Sequence, residues 1–130
     1  MEKIALIDDE PVFLDIYSKT LGKKYEIVTA MDGEGGLELV EREKPALVLV
    51  DIRMPKMDGL EMIRQMKDKG LMNMPVIVLT NLVEDEKVSQ AIELGVKDYI
   101  AKEDTTAAEI LKKVEQVLES RAKEKSEKKV

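Results

Sequence analysis

Three carboxylates stand where apolar runs would be expected to continue. The run Leu47-Val-Leu-Val stops at Asp51, and Pro55 and Asp58-Gly59 follow within a few residues, which reads as a buried strand opening into a tight polar loop. Asp8 and Asp9 hold the same relation to the apolar residues 4–7. If the two strands are neighbours, the acids converge. Crowded carboxylates repel one another, and a hard divalent cation with a preference for oxygen ligands relieves that repulsion. Two other apolar runs also end polar, one at Thr80-Asn81 and one at Ala101-Lys102. Taken singly, each residue has a plainer reading. Asp9 suits a helix cap, Asp51 a turn, Thr80 a helix-entry turn, Tyr99 half-buried packing and Lys102 a solvated surface. Their joint placement at strand ends is what points to a site.

The composition narrows what such a site serves. With 130 residues, 44% hydrophobic but only 3% aromatic, the chain fits one domain with an aliphatic core. Cysteine and histidine are both absent, which excludes disulfides, thiolate or imidazole metal ligands and imidazole general-base chemistry. No signal peptide or membrane span is visible, so the expected compartment is the cytoplasm. The net charge is −6, yet residues 120–130 carry five Lys or Arg against two Glu, leaving −9 on the first 119 residues. An acidic domain without a basic, aromatic-studded patch disfavours direct nucleic-acid binding.

Two periodicities alternate along the chain. Strands are predicted at 3–8, 25–30, 46–50, 76–79 and 96–100. Helices are predicted at 10–21, with Asp9 as its cap and Pro11 in its first turn, at 33–43, at 60–70 and at 84–94. A last, longest helix carries Ala107, Ile110, Leu111, Val114, Val117 and Leu118 on one face. The stripe ends at Glu119, so 1–119 reads as the domain and 120–130 as a charged tail or linker, a fraying helix with charges spaced for ion pairs. Five strand-helix pairs with short connections imply a doubly wound α/β fold: a five-stranded parallel sheet with helices on both faces. Sites in such sheets lie beyond the carboxyl ends of the strands, where the winding reverses. Asp8, Asp9, Asp51, Thr80 and Lys102 would all collect there.

The segments Leu6-Ile-Asp-Asp-Glu10, Leu49-Val-Asp-Ile-Arg-Met-Pro-Lys-Met-Asp-Gly59, Leu79-Thr80 and Asp98-Tyr-Ile-Ala-Lys102 resemble the receiver (CheY-like) domain of two-component response regulators. They do so in that family's order and spacing, over residues 3–119. The resemblance implies a flavodoxin-like fold and a phosphoacceptor switch. Asp51 would take a phosphoryl group from a phosphohistidine on a histidine kinase or phosphotransfer partner, forming an aspartyl phosphate. Mg²⁺ would be bound by Asp9 and Asp51 through their side chains, by Arg53 through its backbone carbonyl, and by Asp8 through water. Lys102 would contact the phosphoryl oxygens, and the Thr80 hydroxyl would bond to phosphorylated Asp51, drawing its loop inward as the ring of Tyr99 turns into the vacated space. The face of the fourth helix, last strand and final helix would then be read by a downstream target or output domain, or used for homodimerisation.

Two positions depart from the family pattern. Glu103 follows Lys102 where proline is usual, so Lys102 is expected to be held less rigidly, and Asn81 follows Thr80 where a small residue is usual, narrowing access to Asp51. Both bear on phosphoryl lifetime. Catalysis in its own right, beyond self-phosphorylation and weak autophosphatase activity, is left open. The competing reading is a receiver-like module that is never phosphorylated and serves as a constitutive protein-binding surface. A haloacid-dehalogenase-type phosphatase fits poorly, since that family wants an acid where Arg53 stands. A flavin site fits no better, because the loop after the first strand lacks a Ser/Thr/Gly-rich phosphate cradle.

Overall fold

A computed structural model of the chain describes residues 1–81 and 86–128, with side chains described as far as residue 124. Parallel strands buried on both faces need near-continuous aliphatic runs, and the three inner strands here are such runs, while the two edge strands carry fewer aliphatics and are partly exposed. The five strands are β1 (Lys3–Ile7), β2 (Glu26–Ala30), β3 (Leu47–Asp51), β4 (Val76–Thr80) and β5 (Asp98–Ala101). All pair in parallel, in the order β2-β1-β3-β4-β5. The crossovers are α1 (Pro11–Leu21), α2 (Gly33–Glu43), α3 (Gly59–Asp68) and α4 (Glu86–Glu93), and α5 (Ala107–Lys128) follows β5 through a 3₁₀ turn at Lys102–Asp104.

The period-two alternation of the strands divides the core into two layers. Ile4, Leu6, Leu47, Leu49, Ile77 and Leu79 pack with Tyr17 and Leu21 of α1 and with Ile110 and Val114 of α5. Ala5, Ile7, Val48, Val50, Val76 and Val78 pack on the other face against α2, α3 and α4, through Leu37, Val40, Met62, Ile63, Met66 and Val88. The doubly wound sheet expected from the sequence is the fold.

Several boundaries differ from expectation. The strand expected at 46–50 runs from Leu47 to Asp51, so the acid belongs to the strand itself and its backbone is held in the ladder. The last strand begins at Asp98, because Val96 and Lys97 form the approach to it, with the Lys97 N–H bonded to the Val76 carbonyl. The helix expected from residue 84 is seen from Glu86, and residues 84 and 85 lie outside the described residues. The last helix runs on past Glu119 to Lys128, since no Gly or Pro interrupts it, and 129–130 lie outside the described residues.

Close backbone packing fixes the loop after β3. The Gly33 N–H bonds to the Met57 carbonyl and the Gly59 N–H to the Ile52 carbonyl. A Cβ on Gly33 would lie 2.3 Å from the Met57 oxygen, and one on Gly59 would lie 2.1 Å from the Asp51 oxygen, so both helices start where only glycine lets backbones touch. Asp58 caps α3 by accepting the Glu61 N–H at 3.0 Å, and it also pairs with Lys87 of α4. Burial works against the Asp58 carboxylate, but Lys87 and the N–H groups of Glu61 and Leu60 outweigh it and hold Asp58 below the usual range. Asp58→Ala should therefore cost about 1 kcal/mol at neutral pH. A carboxylate held low when folded adds stability above its unfolded pKa of about 4 and loses it as pH falls further, so the cost should shrink in acid. Urea melts of both proteins at neutral pH and below that pKa would check this; a cost that does not change with pH would contradict it.

Candidate functional site

The buried polar and charged residues among those described are Asp8, Asp51, Thr80 and Lys102. All four sit at the carboxyl ends of strands. Strand register brings them together: Ile7 is level with Val50, so Asp8 and Asp51 emerge side by side, and Thr80 is level with Ala101, which sets Lys102 one residue beyond. The mouth between β1 and β3 is also where the winding of the sheet reverses, because β2 lies on one side of β1 and β3 to β5 on the other.

Lys102 is the hub. Its ammonium lies 2.8 Å from Asp8 Oδ2, 3.2 Å from Asp51 Oδ2 and 3.2 Å from Glu10 Oε1, with no exposed side-chain surface. Burial disfavours the charged ammonium, yet Asp8 and Asp51 more than compensate, and the Lys102 pKa is raised. Glu103 points away into solvent, while Lys102 opens the 3₁₀ turn. The Lys102 side chain is fully buried and paired to three acids although glutamate, not proline, follows it.

Asp51 donates nothing and accepts at both oxygens. Oδ1 takes the Arg53 N–H at 3.1 Å and Oδ2 the Lys102 ammonium at 3.2 Å. Burial is the largest influence on it and pushes its carboxyl up to about 6, against the pull of Lys102 and the Arg53 N–H, with Asp8 adding to the rise. The Arg53 side chain itself is exposed.

Asp9 does not cap α1, contrary to expectation. Glu10 occupies the cap position without a capping side-chain bond, and Asp8 Oδ1 accepts the Glu10 N–H at 2.9 Å instead. Asp9 and Glu10 are thereby left half-buried at the mouth. One carboxylate oxygen from each of Asp8, Asp9, Glu10 and Asp51 lies within 4.8 Å of the others. Glu10 was not foreseen in this group; its one signal was a third consecutive acid. Asp8 Oδ2 is buried and its one close polar neighbour among the described residues is the Lys102 ammonium, an ion pair at 2.8 Å. An oxygen-only donor set of four acids, more than the one ammonium among them can neutralise, fits a hard divalent cation.

The remaining expected residues are close by in the fold. Thr80 is buried at the end of β4, and Tyr99 on the adjacent β5 is level with Val78 and keeps 38% of its surface exposed, its ring turned outward. Asn81 is exposed beside Thr80. Phe13, which the sequence did not single out, places its ring 4.2 Å from the Lys102 ammonium. Tyr17 stacks obliquely behind it at 5.4 Å, its hydroxyl buried and its pKa pushed up to about 12 chiefly by that burial.

Comparison with known proteins gives a consistent picture. Residues 4–115 match the family described as the response regulator receiver domain. The chain is 36% identical over 102 residues to the alkaline phosphatase synthesis transcriptional regulatory protein PhoP of Bacillus subtilis (strain 168). That match covers 78% of this chain and 42% of the relative, so the chain spans about two fifths of the relative's length. Among solved structures, a CheY-like response regulator receiver domain protein from Methanospirillum hungatei JF-1 superposes with a TM-score of 0.86 at 28% identity, covering 95% of this chain and 98% of that one. The BeF3-activated DrrB receiver domain superposes with a TM-score of 0.79 at 32% identity, covering 92% and 98%.

Proposed function

The chain belongs to the response regulator receiver domain family, the phosphoacceptor domains of two-component systems, and from that premise we propose that Asp51 is its phosphoryl acceptor. The observation that carries the assignment is the pairing of Asp51 with Lys102 in a mouth whose buried polar residues are Asp8, Asp51, Thr80 and Lys102. An Asp51 oxygen attacks the phosphorus of the donor in line. The bond from phosphorus to the donor's imidazole nitrogen breaks, and the imidazole leaves and takes up a proton. Water later cleaves the acyl phosphate and regenerates the carboxylate.

Asp8, Asp9 and Asp51, with Glu10 beside them and the Arg53 backbone carbonyl, are the groups that would hold Mg²⁺. When bound, such an ion neutralises the acids and the incoming phosphoryl oxygens. Lys102, already paired with Asp8 and Glu10, moves its contact from Asp51 to the phosphoryl oxygens without leaving the mouth. The Thr80 hydroxyl turns to the phosphorylated carboxylate, and the Tyr99 ring moves inward, altering the face of α4, β5 and α5 for an output partner or a second copy. The family implies a histidine kinase or phosphotransfer protein upstream and an output domain or target downstream. Residues 1–119 form the receiver unit and 120–130 its charged extension in this reading. No helix among the described residues is long and apolar enough to cross a membrane; the cytoplasmic location in this reading rests on the family alone.

Incubation with acetyl phosphate, in which acetate takes the place of the imidazole leaving group, tests the assignment. Mass spectrometry should show one added phosphoryl group when Mg²⁺ is present and little without it. A protein that gains no mass in Mg²⁺ would be a receiver-shaped binding module instead.

A further inference from the structure

The Lys102 ammonium is held by more than its acids. Lys102 has no exposed side-chain surface, and the ring of Phe13, the chain's one phenylalanine, lies 4.2 Å from its nitrogen. Phe13 is itself half-buried, at the edge of the layer between the sheet and α1 and α5, and Tyr17, one turn further along α1, backs it at 5.4 Å. A buried ammonium over an aromatic face gains from the ring's electron-rich surface, and the gain is larger when water is excluded. The ring also leaves the ammonium all its hydrogen-bond donors, which the acids and an incoming phosphoryl group need.

We propose that Phe13 is a positioning residue for Lys102: its ring walls the ammonium off from water and keeps it aimed at Asp51 and at the phosphoryl oxygens. This rests on the phosphoacceptor reading for its functional consequence but not for its structural one. A ring that only fills space would be replaced by any apolar side chain of similar volume, whereas a ring that holds the cation would be replaced only by another aromatic face.

The experiment compares the parent with Phe13→Met, which keeps bulk without a ring, and Phe13→Tyr, which keeps the ring. The first readout is acetylation of each lysine by sulfo-N-hydroxysuccinimide acetate, followed by peptide mass spectrometry. Lys102 acetylation should rise about threefold to tenfold in Phe13→Met and return towards the parent rate in Phe13→Tyr, with the other lysines unchanged. The second readout is the rate of Mg²⁺-dependent phosphoryl uptake from acetyl phosphate, which should fall by a similar factor in Phe13→Met and recover in Phe13→Tyr. Unchanged Lys102 acetylation in Phe13→Met, or an increase that Phe13→Tyr fails to reverse, overturns the proposal. If all lysines gain reactivity together, Phe13→Met has opened the fold, and Phe13→Leu is judged by the same criteria. A parent that takes up no phosphoryl group overturns the acceptor assignment alone, because the acetylation readout still decides the role of Phe13.

Discussion

Asp51→Asn should abolish phosphoryl uptake and, in the absence of divalent cations, make the protein more stable at pH 8. The first effect follows from losing the nucleophilic carboxylate, since a neutral amide oxygen does not form the acyl phosphate. The second follows from what the fold does to Asp51. Burial raises its carboxyl to about 6, so the folded protein disfavours the ionised form relative to the unfolded chain. The penalty is absent below the unfolded pKa of about 4, grows between pH 4 and 6, and is fully present above 6. Asparagine carries no such penalty, so its advantage should be on the order of 1–2 kcal/mol at pH 8 and vanish near pH 4. Urea melts at both values, run in a chelator, measure it. Added Mg²⁺ should then stabilise the parent more than the variant, because a ligand that binds only the folded state adds stability in proportion to its affinity. A variant less stable than the parent at pH 8 would mean that the contact with Lys102 outweighs the cost of burial.

Lys102→Met is expected to be the most damaging single change. Methionine keeps much of the volume but leaves Asp8, Glu10 and Asp51 without their shared cation. Breaking a buried ion pair from one side typically costs roughly 3–5 kcal/mol, because the remaining charge stays buried and uncompensated. The loss should be largest above pH 6, where Asp51 is ionised, and smaller near pH 4, where its protonation relieves the mouth of one charge. A loss that is equal at both values would trace to packing instead. Asp51→Asn in the same chain should recover part of the stability at pH 8, since residues in one charge cluster do not act additively. Phosphoryl uptake should fall on the order of a hundredfold, the usual cost of removing one preorganised group that meets developing charge.

Much of this arrangement was legible in the chain because its parts are local. A strand buried on both faces must be written as a continuous aliphatic run, so a residue such as Asp51 or Thr80 at its end stands out against that run. The doubly wound order then assembles such endings at one mouth. Glu10 and Phe13 escaped notice for the opposite reason. Glu10 meets Lys102 across 92 positions, and neither that contact nor the ring of Phe13 over the same ammonium leaves a local pattern. Asp9 misled because an acid before Glu10-Pro11 is what a helix cap looks like, yet Asp8 takes the Glu10 N–H and frees Asp9 for the mouth. The last helix outran its apolar stripe because packing on the sheet ends near Leu118, while the residues beyond it are ordinary helix formers.

The order in which the site's charges are made has its own consequence. Synthesis delivers Asp8, Asp9, Glu10 and Asp51 well before Lys102, which follows β5, and β5 joins the sheet at its edge through β4. The chain up to β4 therefore carries the four acids of the mouth without their ammonium. The fifth strand brings both a ladder of hydrogen bonds and the positive charge, so the edge strand that completes the sheet also supplies the partner of the acids at its mouth.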